Sequence, residues 1–235
     1  MFIGSFKVST GNVQFVSRND AKGTVNSSAV NDIPIGSTYT VIDNGTLVVK
    51  NGRTGAETPV TIRPATNYHF EKWTVGKDGK ATTGGTISDD VSLYAVFSIN
   101  TMTITFAADE HGTIDPAKAT YVARAGATYE LVKDAQGQQT GAIKFTWQTD
   151  PDDSGTPETK TETVNPIQAP VEGYKFDKWD LDETGTIAAN SDSTWNAQFV
   201  ICTYNVSAAV DKELGGKVVD SNTSKTVLDH FTWAR

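Results

Sequence analysis

Acid–base or nucleophilic chemistry in this chain of 235 residues would have to come from three histidines, His69, His111 and His230, and one cysteine, Cys202. A nucleophile needs a base within hydrogen-bond reach and a third group to orient that base. His69 occupies a place that Lys175 takes in a second copy of the same aromatic string, so the position serves a cation turned to solvent. His111 precedes the turn glycine Gly112, and His230 stands near the end, so no triad is expected. Cys202 lies in an alternating strand pattern and reads as a small apolar side chain. A single cysteine also excludes an internal disulfide.

Carboxylates are the next candidates. Asp177, Asp180, Asp182 and Glu183 gather around Trp179, and glycoside hydrolysis needs a carboxylate pair beside a sugar platform. The other copy of the string has only Glu71 and Asp78 nearby, so the cluster reads as a solvated acidic turn. Asp180-x-Asp182-x-Thr184-Gly185 and Asp150-x-Asp152-x-Ser154-Gly155 open like calcium loops, but their twelfth positions are Ser191 and Thr161, which supply no carboxylate. Zinc spacing is absent, and no glycine-rich phosphate loop opens a helix. The expectation is no catalytic residue, no metal, no cofactor and no enzyme. Two tryptophans remain as speculative binding residues. Trp147 and Trp233 end the triplets Phe145-Thr146-Trp147 and Phe231-Thr232-Trp233, outside the duplicated string, where exposed rings would stack on a sugar or a partner.

The elements that must carry these residues are announced by duplication. Asn67-Tyr68-His69-Phe70-Glu71-Lys72-Trp73 returns as Gly173-Tyr174-Lys175-Phe176-Asp177-Lys178-Trp179. Gly23-Thr24 returns as Gly112-Thr113, Gly36-x-Thr38-Tyr39 as Gly126-x-Thr128-Tyr129, and Gly85-Thr86-Ile87 as Gly185-Thr186-Ile187, in the same order. A fixed period of this kind marks an array of similar small units. The chain divides into a unit over 1–99, a second over 100–201, and a partial third unit or C-terminal strands over 202–235.

Period-two alternation dominates, as in half-buried strands. Leu93, Ala95 and Phe97 share one face, as do Trp195, Ala197 and Phe199, and Met102, Ile104 and Phe106. The fold class is mainly β: tandem small β-rich units, a β-grasp-like arrangement being one option, with at most one or two short helical turns each. Asp115-Pro116-Ala117-Lys118 is the best helical turn, with Asp as cap and Pro at the first position. The duplicated string contains a conflict of phase. Tyr68 and Phe70 share a strand face, whereas Trp73 has the opposite parity. All three enter one core only if the strand slips by one residue near Glu71-Lys72, and likewise near Asp177-Lys178, so a β-bulge is predicted at both. The motif residues Tyr68, Phe70, Trp73, Tyr174, Phe176 and Trp179 then read as core.

Formal net charge is −8, which disfavours nucleic acid and anionic membranes as partners. No apolar run is long enough to span a bilayer, and Met1-Phe2-Ile3-Gly4 lacks the features of a secretion signal, so a secreted protein would contain this chain as a piece. No apolar strand obliges a lysine to point inward, so a Lys–Asn isopeptide cross-link is not expected.

The string Tyr-x-Phe-x-x-Trp, followed by Tyr94-Ala95-Val96-Phe97 in one copy and by Ala197 and Phe199 in the other, resembles the InlB B-repeat superfamily of bacteria, in particular its divergent branch and the Listeria–Bacteroides repeats. Gly112-Thr113-Ile114-Asp115-Pro116 resembles that family's opening. The resemblance implies extracellular or cell-surface repeats, cell-wall-attached or secreted, without catalytic activity. They act as stalk, spacer or adhesion module, with a host or cell-surface protein or a glycan as partner. A carbohydrate-binding module using Trp147 or Trp233 is the alternative. The stretches 47–60 and 145–164 are longer than the family pattern, which puts a simple β-grasp topology in question.

Overall fold

The computed structural model describes residues 8–149, 156–188, 192–206 and 225–228. By compactness the chain divides into two units, residues 1–101 with 148–159 and residues 102–147 with 160–235.

The first unit runs β1 (Thr10–Ser17), β2 (Gly23–Val25), β3 (Ala29–Pro34), β4 (Thr38–Val41), β5 (Leu47–Lys50), β6 (Glu57–Val60), β7 (Ile62–Pro64), β8 (Tyr68–Val75), β9 (Ala81–Thr82), β10 (Gly84–Thr86) and β11 (Val91–Ile99). One sheet has the order β3-β1-β11-β8-β9, a second β10-β4-β5-β6, and β2 pairs with β7. The first and last strands lie side by side and parallel, Val13 opposite Val91 through Ser17 opposite Ala95. β8 returns antiparallel along β11. Alternation places Val13 and Phe15 of β1, Tyr39 of β4, Leu47 and Val49 of β5, Trp73 of β8 and Leu93, Ala95 and Phe97 of β11 in one buried cluster drawn from both sheets.

The second unit repeats this plan: β12 (Thr101–Ala108), β13 (Gly112–Ile114), β14 (Thr120–Arg124), β15 (Thr128–Lys133), β16 (Gln139–Gln148), β17 (Thr159–Val164), β18 (Ile167–Pro170), β19 (Tyr174–Trp179), β20 (Thr184–Thr186) and β21 (Ser193–Ile201). Its sheets are β14-β12-β21-β19 and β17-β16-β15-β20, with a β13-β18 ribbon. β12 and β21 are again parallel, Ile104 opposite Ser193 through Ala108 opposite Ala197. Beyond Cys202, β22 (Thr203–Val206) pairs antiparallel with β23 (Lys225–Leu228).

Mainly-β architecture is what the alternation calls for. Among the described residues there is no α-helix, only single 3-10 turns at Asp43–Gly45 and Pro116–Lys118. In the latter the Asp115 carboxylate accepts the Ala117 N–H at 3.0 Å, the cap read from the sequence. Where a β-grasp fold would lay a helix on its sheet, each unit has its second small sheet.

Both predicted bulges are present. Lys72 faces Val96 and Phe70 faces Phe97, so Glu71 is the extra residue. Lys178 faces Gln198 and Phe176 faces Phe199, so Asp177 is its counterpart. The duplicated turns are fixed by duplicated bonds. Gly36 donates to the Ile87 carbonyl and Ile87 to that of Ser37, both at 2.8 Å; Gly126 donates to Ile187 at 2.9 Å and Ile187 to Ala127 at 2.7 Å. The variable first letter of the string has one requirement: Asn67 and Gly173 both take positive φ, at 70° and 84°, which Asn and Gly tolerate best. Lys22 is only 4% exposed, but it lies in the turn before β2 and not in an apolar strand.

Candidate functional site

The duplicated aromatic string forms the inside of each unit. Trp73 is fully buried, and its indole N–H donates to the Gly45 carbonyl at 2.8 Å. Trp179 is 1% exposed and donates to the Gly141 carbonyl at 3.0 Å. The burial of a tryptophan is thereby reconciled with its polar N–H. Half-buried Phe70 packs between Trp73 and Phe97, ring centres 6.0 and 6.2 Å away, and Phe176 between Trp179 and Phe199, at 5.9 and 5.8 Å. Tyr68 and Tyr174 are half-buried at the start of their strands, Tyr174 under the ring of His111 at 4.1 Å. Gly23 and Gly112 recur because a Cβ there would meet the rings of Phe97 and Phe199, at 2.6 and 2.1 Å.

Burial of Trp179 removes the aromatic platform from the acidic cluster around it. Glu183 of that cluster pairs with Lys133. The stretch beginning at Asp180 enters a strand at its fifth residue, and its twelfth position, Ser191, lies outside the described residues. Thr184 and Gly185 belong to β20, opposite Glu130 and Tyr129. Among the described residues, no three His, Cys, Asp or Glu side chains are grouped to hold a metal ion. The Asp150 stretch, His230 and Trp233 lie outside the described residues, apart from Thr161 at the former's twelfth position. His69 is exposed, its Nδ1 2.8 Å from Asn100 Oδ1. At the bulge, hydrogen bonds from Lys72 and Ser98 hold the Glu71 carboxyl below the usual carboxylate range.

Trp147 occupies a different setting. It is half-buried at the end of β16, on the side that Ile143 and Phe145 turn to the core. With Tyr121, Ala127, Phe145, Arg124 and Glu162 it lines a cavity of about 110 Å³. Tyr121 stacks on Phe145 at 4.2 Å and donates its hydroxyl to Glu162 at 3.1 Å. Burial first, and the Glu162 charge second, push the Tyr121 phenol far above its ordinary value. Burial and then Asp182 also raise Tyr129. Sites for small molecules run to about 300–1,000 Å³, so this niche admits a few waters or one side chain. Two larger depressions, of about 340 and 450 Å³, are open and carry no tryptophan. One is floored by Thr128, Thr146, Thr184 and Thr186, the other by Ser17, Asp20, Asn26 and Ser27.

Sequence reasoning passed over Tyr121 and Glu162, which lie on separate strands of the second unit and have no motif. The turn at Asp43-Asn44-Gly45 presents the carbonyl that receives Trp73.

Neither the curated proteins nor the solved structures compared with this chain include a match. The profile of the divergent InlB B-repeat domain matches residues 36–101 and 142–211, each segment containing one copy of the aromatic string. Such domains are repeat modules of bacterial surface proteins, typically non-catalytic. With more than half of its length matched in two segments, the chain belongs to the divergent InlB B-repeat family.

Proposed function

We propose that the chain is a non-catalytic stalk or spacer, with adhesion to a host or cell-surface protein as its accessory task, in a bacterial surface or secreted protein. The observation that carries this reading is the use of the duplicated aromatics. Trp73 and Trp179 are spent on two equivalent cores, with their N–H groups bonded inward, and offer no face to a ligand. What is repeated is the means of folding, and a repeated fold supplies length. The junction is short. Asn100 alone separates β11 from β12, and its N–H donates to the Asn67 carbonyl at 2.7 Å. At the end of the second unit Cys202 donates in the same way to Gly173 at 2.7 Å. Junctions without glycine- or serine-rich slack carry tension from one strand to the next.

The competing reading is carbohydrate binding at Trp147. The small volume of its niche weighs against a sugar-ring pocket, although half-buried Trp147 keeps some exposed surface. A glycan array with a tryptophan-fluorescence titration separates the two. The stalk reading expects no saturable response across glycans. Saturable quenching that disappears in Trp147→Ala would replace it with the lectin-like reading.

A further inference from the structure

We propose that each unit is a clamp loaded in shear, latched by an aspartate that stands one residue before the final strand: Asp90 in the first unit and Asp192 in the second. The inference deepens the stalk reading and takes its biological meaning from it.

Strand direction decides how a unit bears load. Tension along the chain enters a unit at the N-terminal end of its first strand and leaves at the C-terminal end of its last. β1 and β11 are adjacent and parallel, so these two points lie at opposite ends of the pair. The same holds for β12 and β21. Pulling slides the strands along one another. All the bonds of the parallel ladder, evenly spaced and slanted, are strained together. An antiparallel pair pulled from adjoining ends opens one bond at a time.

Three features suit the pair to this load. Its inner row is dry: Val13, Leu93 and Ala95 have no exposed surface, and Ile104 and Ala197 are equally enclosed. Water therefore cannot readily replace a stretched bond. The ladder continues past its register, with Arg18 donating to the Ala95 carbonyl at 3.0 Å and Asp109 to Ala197 at 3.3 Å. The third feature is the latch. Asp90 Oδ1 accepts the Asn12 backbone N–H at 2.7 Å and the Asn12 side-chain amide at 3.1 Å. Asp192 Oδ1 accepts the Thr103 N–H at 2.7 Å. Asn12 and Thr103 hold the same place, the third residue of the first strand. The aspartate ties that strand, near the point where it is pulled, to the start of the last strand. A bond donated to an ionised acceptor is shorter and stronger than one between neutral groups. Ser92 adds a bond to Gln14 at 3.2 Å in the first unit.

The test uses the full chain and its own Cys202, which follows the last strand of the second unit. In Thr101→Cys, handles on residues 101 and 202 load β12 against β21 in shear. In Glu172→Cys, handles on residues 172 and 202 peel β19 from β21 at adjoining ends, where Tyr174 faces Ile201. Both substitutions are at exposed positions. The clamp expects a higher unfolding force for the first pair of handles. Equal forces, or the opposite order, overturn it. Asp192→Ala, added to each, should lower the shear force and leave the peeling force unchanged, and Asp192→Asn, which keeps an acceptor oxygen, should retain most of the shear force. An equal drop in both directions would make Asp192 a folding residue and overturn the latch. Glycan binding would remove the stalk reading and leave the clamp standing, whereas equal forces would remove the clamp and leave the stalk.

Discussion

The first unit fills the space between its sheets with Ile33, Val49 and Leu93; the second fills the same space with Ala123, Phe145 and Trp195. The correspondence is fixed by register. Val49 faces Tyr39 as Phe145 faces Tyr129, and Leu93 faces Phe15 as Trp195 faces Phe106. Ile33 and Ala123 each stand three residues before the turn glycine, Gly36 or Gly126. Two aliphatic side chains become aromatic while a third shrinks to a methyl group. Cores tolerate simultaneous exchange when total volume and pattern are kept. The contacts that do not vary are the ring of Phe15 or Phe106 on the tryptophan, the flanking phenylalanine and the indole bond to a glycine carbonyl. One framework thus accepts two fillings. The difference extends to the edge. β5 stops at Lys50 because Asn51 folds into a turn, its Oδ1 accepting the N–H groups of Arg53 and Thr54. β16 runs on to Gln148 with Trp147 where the first unit has Asn51.

The largest test of this comparison removes what is common. Trp73→Ala and Trp179→Ala should each cost about 3–5 kcal/mol and orphan a buried glycine carbonyl as well. If the units fold on their own cores, calorimetry will show one transition lost or lowered and the other in place. A joint shift of both transitions would break the comparison. A sharper test exchanges what differs. Ala123→Ile alone should overpack the second core by about 1–3 kcal/mol. Combining it with Phe145→Val and Trp195→Leu should recover much of that loss in denaturant melts. No recovery would mean the two fillings are not interchangeable. The smallest effect is alkaline. Tyr121 and Tyr129 are held protonated above the ordinary phenol value near 10. The folded state binds those protons more tightly than the unfolded chain does. Their contribution to stability is complete below about pH 10 and is lost as pH rises towards the folded values. Absorbance at the phenolate band should show these two tyrosines ionising late, together with unfolding of the second unit. Ionisation at the ordinary value would argue against the stacked, bonded Tyr121.

The parts of the fold that follow from side-chain parity were legible in the sequence. The bulges at Glu71 and Asp177 were required because Trp73 and Trp179 are out of step with the aromatics before them. The Asp115 cap was readable because its chemistry is local. Strand order was not, since the parallel pairing of β1 with β11 joins residues almost a whole unit apart and leaves no local signal. The site was harder still. Tyr121, Trp147 and Glu162 meet only after three strands are placed. Burial of Lys22 depends on a turn whose direction no periodicity reports. Asp90 and Asp192 did leave a trace, one residue ahead of equivalent strands, but a lone acid before a strand reads as an ordinary turn residue until its partner N–H is known.

The bulge also governs how such a module can drift over generations. Lose Glu71, and every later side chain of β8 changes sides, so that Trp73 leaves the core. Insertions and deletions are therefore cheap in the connecting segments, which differ in length between the copies, and ruinous in this one strand. The interval from tyrosine to tryptophan is accordingly the same in both copies, from Tyr68 to Trp73 and from Tyr174 to Trp179.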